Sequence, residues 1–98
     1  MNTRKNRFQD SLMKQLKDPE FICEYLNNAI EENDPDFLKV AMGDVAKALG
    51  VTEISKNTSI SRQSIYQMLS AEGNPSLSSI FQIMAAMNLK VRIEPLSK

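Results

Sequence analysis

The chain contains no histidine, a single cysteine and only three glycines in 98 residues. Without histidine and with a lone thiol, neither a structural zinc site nor a histidine-dependent catalytic triad can be assembled. Gly43, Gly50 and Gly73 are too few and too far apart to form a phosphate-cradling loop. Cys23 has no internal partner for a disulfide, and its position beside an apolar stripe points to a buried, inert thiol in a reduced, cytoplasmic protein. No apolar run approaches the roughly 20 residues that span a bilayer. The polar, basic start also lacks the apolar core of a signal peptide. Carboxylates or a serine–lysine pair could in principle do chemistry, but nothing gathers them in one place. A binding protein is expected, not an enzyme, with no metal, no cofactor and no membrane.

What is present suits one small globular domain: 42% hydrophobic and 24% charged residues, near the soluble average. Twelve basic residues balance twelve acidic ones, so net charge says nothing about partners, but its distribution does. Residues 1–17 hold five basic groups against one acidic, residues 18–44 one against eight, and residues 45–98 six against three. The chain is therefore basic, then acidic, then basic. The expected organisation is a partly ordered basic segment over 1–17 and a single domain over 18–98.

Asp18-Pro19 opens the first helix of that domain, since aspartate suits an N-cap and proline the first helical position. Phe21, Ile22, Tyr25, Leu26, Ala29 and Ile30 then draw one apolar stripe. Asp34-Pro35 repeats the device, followed by Phe37, Leu38, Ala41, Val45, Ala48 and Leu49, with Gly50 as the stop. Three shorter helices are expected: Thr52 capping one to about Thr58, Ser61 one to about Ser70, and Ser76 one to about Met87. Lys90-Val91-Arg92-Ile93-Glu94 alternates as a half-buried strand does, and Pro95 closes it. A lone strand leaves its backbone unpaired, so Val91, Arg92 and Ile93 are expected to pair with a second copy about a two-fold axis; the alternatives are a frayed tail or pairing with residues before Asp18.

Between Val45 and Leu69 the pattern is that of a helix-turn-helix, with its core at 51–70. Ile54, Ile60, Ile65 and Leu69 fall where two crossed helices touch, and Ser55 is small at their closest approach. The second helix leaves Arg62, Gln63, Ser64 and Gln67 outside. Arginine and glutamine suit the edges of guanine and adenine in the major groove, and the stretch from Lys56 to Ala71 carries no acid. Three small amphipathic helices with solvated polar faces would give the same periodicity.

The run Gly50 to Ser70, with Ser61-Arg62, Tyr66 and Leu69-Ser70, followed by Gly73-Asn74-Pro75-Ser76-Leu77, resembles the addiction-module antitoxins. These are HigA-like members of the Xre/Cro-type helix-turn-helix family. Lys17-Asp18-Pro19, Tyr25-Leu26-Asn27-Asn28-Ala29, Asn33-Asp34-Pro35 and Leu89-Lys90-Val91 also resemble it, so the similarity covers nearly the whole chain after Phe8. Ser59 and Asn88 stand where the family usually has glycine.

The resemblance implies an all-α, five-helix, lambda-repressor-like domain with a short C-terminal β-strand paired across a homodimer. It further implies an antitoxin that represses its own operon at a palindromic double-stranded DNA operator and neutralises a RelE/HigB-type ribonuclease toxin. By position, Arg62, Gln63, Ser64 and Gln67 would face bases, and Thr52, Lys56, Ser61, Tyr66 and Ser70 would touch or flank the phosphates; Tyr66 could equally be a packed aromatic whose hydroxyl meets solvent. An acidic band cannot sit against a duplex, so Glu20, Glu24, Glu31 and Glu32 are the candidate surface for the cognate toxin; the alternatives are a merely solvated acidic face, or the basic segment 1–17 as the arm that contacts toxin or DNA. A stand-alone Xre/Cro-type repressor and a helical interaction module without DNA binding are the competing readings.

Overall fold

The computed structural model describes residues 3–97, which are helical apart from turns and a C-terminal tail. The helices in order are α1 (Thr3–Gln15), α2 (Pro19–Glu31), α3 (Pro35–Leu49), α4 (Val51–Lys56), α5 (Arg62–Met68) and α6 (Leu77–Ala86). That is six among the described residues where five were expected. The additional one is α1, whose Leu12 and Met13 lie against the core and which leads into the fully buried Leu16.

Both Asp-Pro openings behave as expected. The Asp18 carboxylate accepts from the Glu20 N–H (3.2 Å) and that of Asp34 from the Asp36 N–H (3.0 Å), each with proline next in the chain. Two apolar stripes then meet. Ile22, Leu26 and Ala29 of α2 pack with Ala41, Met42, Val45 and Ala46 of α3, and this pair is the most extensively packed in the fold. The Tyr25 hydroxyl adds a polar link, donating to Asp44 Oδ2 at 2.7 Å. Burial, then the hydrogen bond to Asp44 and its charge, push the Tyr25 phenol up to about 12. Ile30 and Phe37, counted into the stripes, are about half exposed at the end of the α2–α3 hairpin. Cys23 is exposed, not buried: it lies one residue past Ile22, turned away from α3.

Gly50 joins α3 to α4 with φ 106°, a conformation L side chains rarely adopt, and so ends one helix and starts the next in a single residue. For this reason Thr52 does not cap α4, which has no side-chain cap at all. Ser61 and Ser76 do cap α5 and α6, accepting from Ser64 N–H (3.1 Å) and Ser79 N–H (3.0 Å).

The segment 71–75 after α5 is tied to α3 by Lys39. Its ammonium is largely buried, donates to the carbonyls of Ala71 (3.0 Å) and Gly73 (2.6 Å), and pairs with Asp36 (3.2 Å). Gly73 fits there because a Cβ would run into the carbonyls of Gln67 and Met68.

After α6 the chain reverses. Asn88 takes φ 64°, and the N–H groups of Asn88 and Leu89 donate to the carbonyls of Ala85 and Met84, both at 2.9 Å. Asparagine tolerates this region, so its place in a usual glycine position costs little. The expected strand is not formed among the described residues. Val91, Arg92 and Ile93 are exposed and lack ladder hydrogen bonds, because the one intrachain candidate partner, the segment before Asp18, is the helix α1.

Two outcomes follow from the polar ties. Lys39→Met leaves two carbonyls without a donor and lowers stability by about 1–3 kcal/mol, read as an earlier urea midpoint. The unfolded phenol ionises near 10.0 and the native one near 12, so the stability held by Tyr25 is intact below pH 10 and is lost as pH rises toward 12. In alkaline titrations followed by circular dichroism, Tyr25→Phe shows a shallower fall from a lower starting stability.

Candidate functional site

The α4–turn–α5 unit is compatible with the expected helix-turn-helix, and its construction determines which side chains face outward. Ile54, Ile60, Ile65 and Leu69, expected between the two helices, are all buried in the core, and α4 packs on α5. Ser55 contributes more than small size, since its hydroxyl donates to the Ile60 carbonyl (2.9 Å). The Thr58 hydroxyl accepts from the Ile60 N–H at 3.1 Å, folding the connector on itself.

Ser59 has no positive φ, so replacing the usual turn glycine brings no backbone strain. Gln82 of α6 holds it instead, accepting from both the Ser59 N–H (2.9 Å) and the Ser59 hydroxyl (3.0 Å) through Oε1. Sequence reasoning missed Gln82. The only signal in the chain was a lone amide between Phe81 and Ile83 on an otherwise apolar stretch, and it does not point to Ser59.

With Ile65 and Leu69 inward, α5 turns Arg62, Gln63, Tyr66 and Gln67 to solvent, while Ser64 is half-buried. The expected base-reading group is thus three exposed side chains plus one serine drawn into the cap. The Ser61 hydroxyl accepts from the Ser64 N–H and donates to the Ser64 hydroxyl (2.9 Å). The Ser70 hydroxyl donates to the Gln67 carbonyl (2.7 Å) at the other end of α5. Ser61 and Ser70 therefore first serve the helix ends. Thr52 and Lys56 are exposed on α4, where Lys56 Nζ lies 3.7 Å from Glu53 Oε2. The acid-free stretch that starts at Lys56 thus has a carboxylate just outside it. An exposed pair of this kind is weak, so it leaves Lys56 able to exchange Glu53 for another anion. The Arg62 guanidinium stands over the Tyr66 ring, 5.7 Å from its centroid.

The acidic candidates sit elsewhere. Glu20, Glu24 and Glu31 share the exposed face of α2 with Asn27 and Asn28, and Glu32 follows at its C-terminal end. α2 packs mainly on α3, and α5 on α4, so the carboxylate face and the α5 face are carried by different elements. Among the described residues no three acidic or thiol side chains converge on a point that could hold a metal ion, and no helix is long and apolar enough to cross a membrane.

The family model described as "Probable addiction module antidote protein" matches residues 6–95. A Haemophilus influenzae protein, described only as uncharacterized, is 33% identical over 79 residues, covering 81% of each chain. No solved structure matches the chain.

Proposed function

The chain belongs to the addiction module antidote family, and from that premise we propose that it is the DNA-binding antitoxin of a type II toxin–antitoxin pair, repressing its own operon. An antidote implies a toxin to neutralise, and the reading assigns that toxin to the RelE/HigB-type ribonucleases. The protein acts as a homodimer on a palindromic operator, within an Xre/Cro-type helix-turn-helix framework, in the cytoplasm and without enzymatic activity.

The observation that carries the reading is the outward face of α5. Arg62, Gln63 and Gln67 are exposed side by side on a helix whose other face is locked into the core. These residue types make bidentate contacts to guanine and adenine edges in the major groove. Ser64, the fourth of this set, is half-buried and engaged in the cap, so its share in base reading is the smallest. Ser61 and Ser70 lie at the two ends of α5 and Thr52 and Lys56 are exposed on α4; these four are assigned to the sugar–phosphate backbone. In a two-fold dimer joined through Val91, Arg92 and Ile93, two such edges address half-sites about one helical turn, or a multiple of it, apart.

The carboxylate face of α2 suits a different partner. A duplex repels Glu20, Glu24, Glu31 and Glu32, whereas the positive surface of a ribonuclease attracts them. Separate faces let one small chain hold DNA and toxin.

Titration of the protein onto its own promoter duplex, at several salt concentrations, tests the DNA half. Arg62→Ala lowers discrimination between operator and scrambled duplex by about 1–3 kcal/mol, the worth of one bidentate base contact. Lys56→Ala weakens binding to both duplexes alike and reduces the salt slope by about one phosphate's worth. Unchanged affinity and discrimination in Arg62→Ala refute the α5 assignment. For the toxin half, co-expression with the neighbouring reading frame restores growth, and reversing Glu20, Glu24, Glu31 and Glu32 to lysine abolishes the rescue without affecting operator binding.

A further inference from the structure

Tyr66 is the one large aromatic side chain on the exposed side of α5, and the direct expectation for it is a phosphate contact through its hydroxyl. The geometry points elsewhere. Arg62 and Tyr66 are four residues apart, which places them as neighbours on one helix face. The guanidinium carbon lies 5.7 Å from the ring centroid, within the range of a cation–π contact. Among the described residues no carboxylate forms a salt bridge with Arg62, so the ring is the group that faces its charge. Tyr66 is 43% exposed, so more than half of its surface is covered, and it borders a groove between α3 and α5 lined by Val40, Gly43 and Leu69.

We propose that Tyr66 is a positioning residue for sequence discrimination: its ring is the platform on which the Arg62 guanidinium is held ready for a base edge. This deepens the DNA-binding reading and rests on it. The physical reason lies in side-chain entropy. A free arginine has many rotamers to lose before its planar fork meets two acceptors at once, and a stacked one has already lost part of that freedom. The ring supports the guanidinium from one side, which leaves its N–H groups free for guanine O6 and N7. The phenol oxygen has no part in this arrangement, so the ring is needed and the hydroxyl is not.

Tyr66→Phe and Tyr66→Leu separate the two roles. In operator titrations, Phe matches the native protein in affinity, discrimination and salt slope. Leu loses roughly two- to fivefold in discrimination at the base read by Arg62, the range of an exposed cation–π contact, with the salt slope unchanged. In an Arg62→Ala background, Tyr66→Leu has no further effect on discrimination. A Phe variant that weakens all duplexes equally and lowers the salt slope overturns the proposal in favour of a phosphate contact. An undiminished effect of Leu in the Arg62→Ala background overturns it as well.

Nuclear magnetic resonance of the free protein supplies a readout without DNA. The Arg62 side-chain methylenes are shifted upfield by the ring in the native and Phe proteins and return to ordinary positions in Leu. Absence of that shift in the native protein refutes the stack itself. A native protein that shows the shift but does not bind its promoter refutes the DNA-binding reading, and with it the role assigned to the stack.

Discussion

A helix of seven residues has no stability of its own. Isolated helices shorter than about 12–15 residues are marginal in water, so α5 exists only because other elements hold it. Four ties do so. Ile65 and Leu69 are sunk into the core, the Ser61 hydroxyl closes the N-terminal turn, and Gln82 of α6 grips the connector at Ser59. The fourth is Lys39, whose ammonium fastens the segment after α5 to α3 through two carbonyls. Two of those ties come from α3 and α6, so the face presented by Arg62, Gln63 and Gln67 is fastened to the domain behind it. A helix held in this way offers side chains at fixed spacing, which is the property that recognition of base edges requires.

Much of this was legible in the chain because the signals are local. Asp18-Pro19, Asp34-Pro35, Ser61 and Ser76 mark helix starts through hydrogen bonds that reach two or three residues, so nothing distant can overrule them. The buried set Ile54, Ile60, Ile65 and Leu69 was legible for a similar reason, since two short helices joined by a tight turn must touch on the sides that face each other. What escaped depends on residues far apart. Lys39 reads as the single base in an acidic stretch, and only the approach of residues 71–73 turns it into a buried clamp. Gln82 and Ser59 are 23 residues apart, and no periodicity connects them. Thr52 and Cys23 were misjudged by neighbourhood: Gly50 already joins the two helices, and position 23 lies off the buried stripe.

The C-terminal tail illustrates a different limit. Alternation in Lys90–Glu94 shows that a strand could form, but a strand is a property of a pair. Pairing inside the chain would need the segment before Asp18 extended, and that segment is α1. Val91, Ile93 and Leu96 consequently stand exposed, together with Leu77 and Phe81 of α6. Apolar side chains left in the open near the end of a small domain are costly in water, and the homodimer proposed above is the arrangement that gives the tail a partner of its own kind.

A chain with zero net charge is an unusual candidate for a duplex, and the resolution lies in where the charge is mounted. Every phosphate contact displaces counterions only if the local surface is positive; the total over the molecule matters much less at distances beyond a Debye length of about 10 Å at 0.1 M salt. α5 carries no carboxylate, and its one charge, Arg62, is held over an aromatic ring. The carboxylates are gathered instead on α2 and at the turn into α3, where two of them also cap helices. Segregation of this kind costs little folding energy, because solvated like charges on one helix face repel weakly. It gives the two faces opposite preferences. The function proposed above needs a surface for a polyanion and one for a second partner that do not spoil each other, and carrying them on separate elements meets that condition.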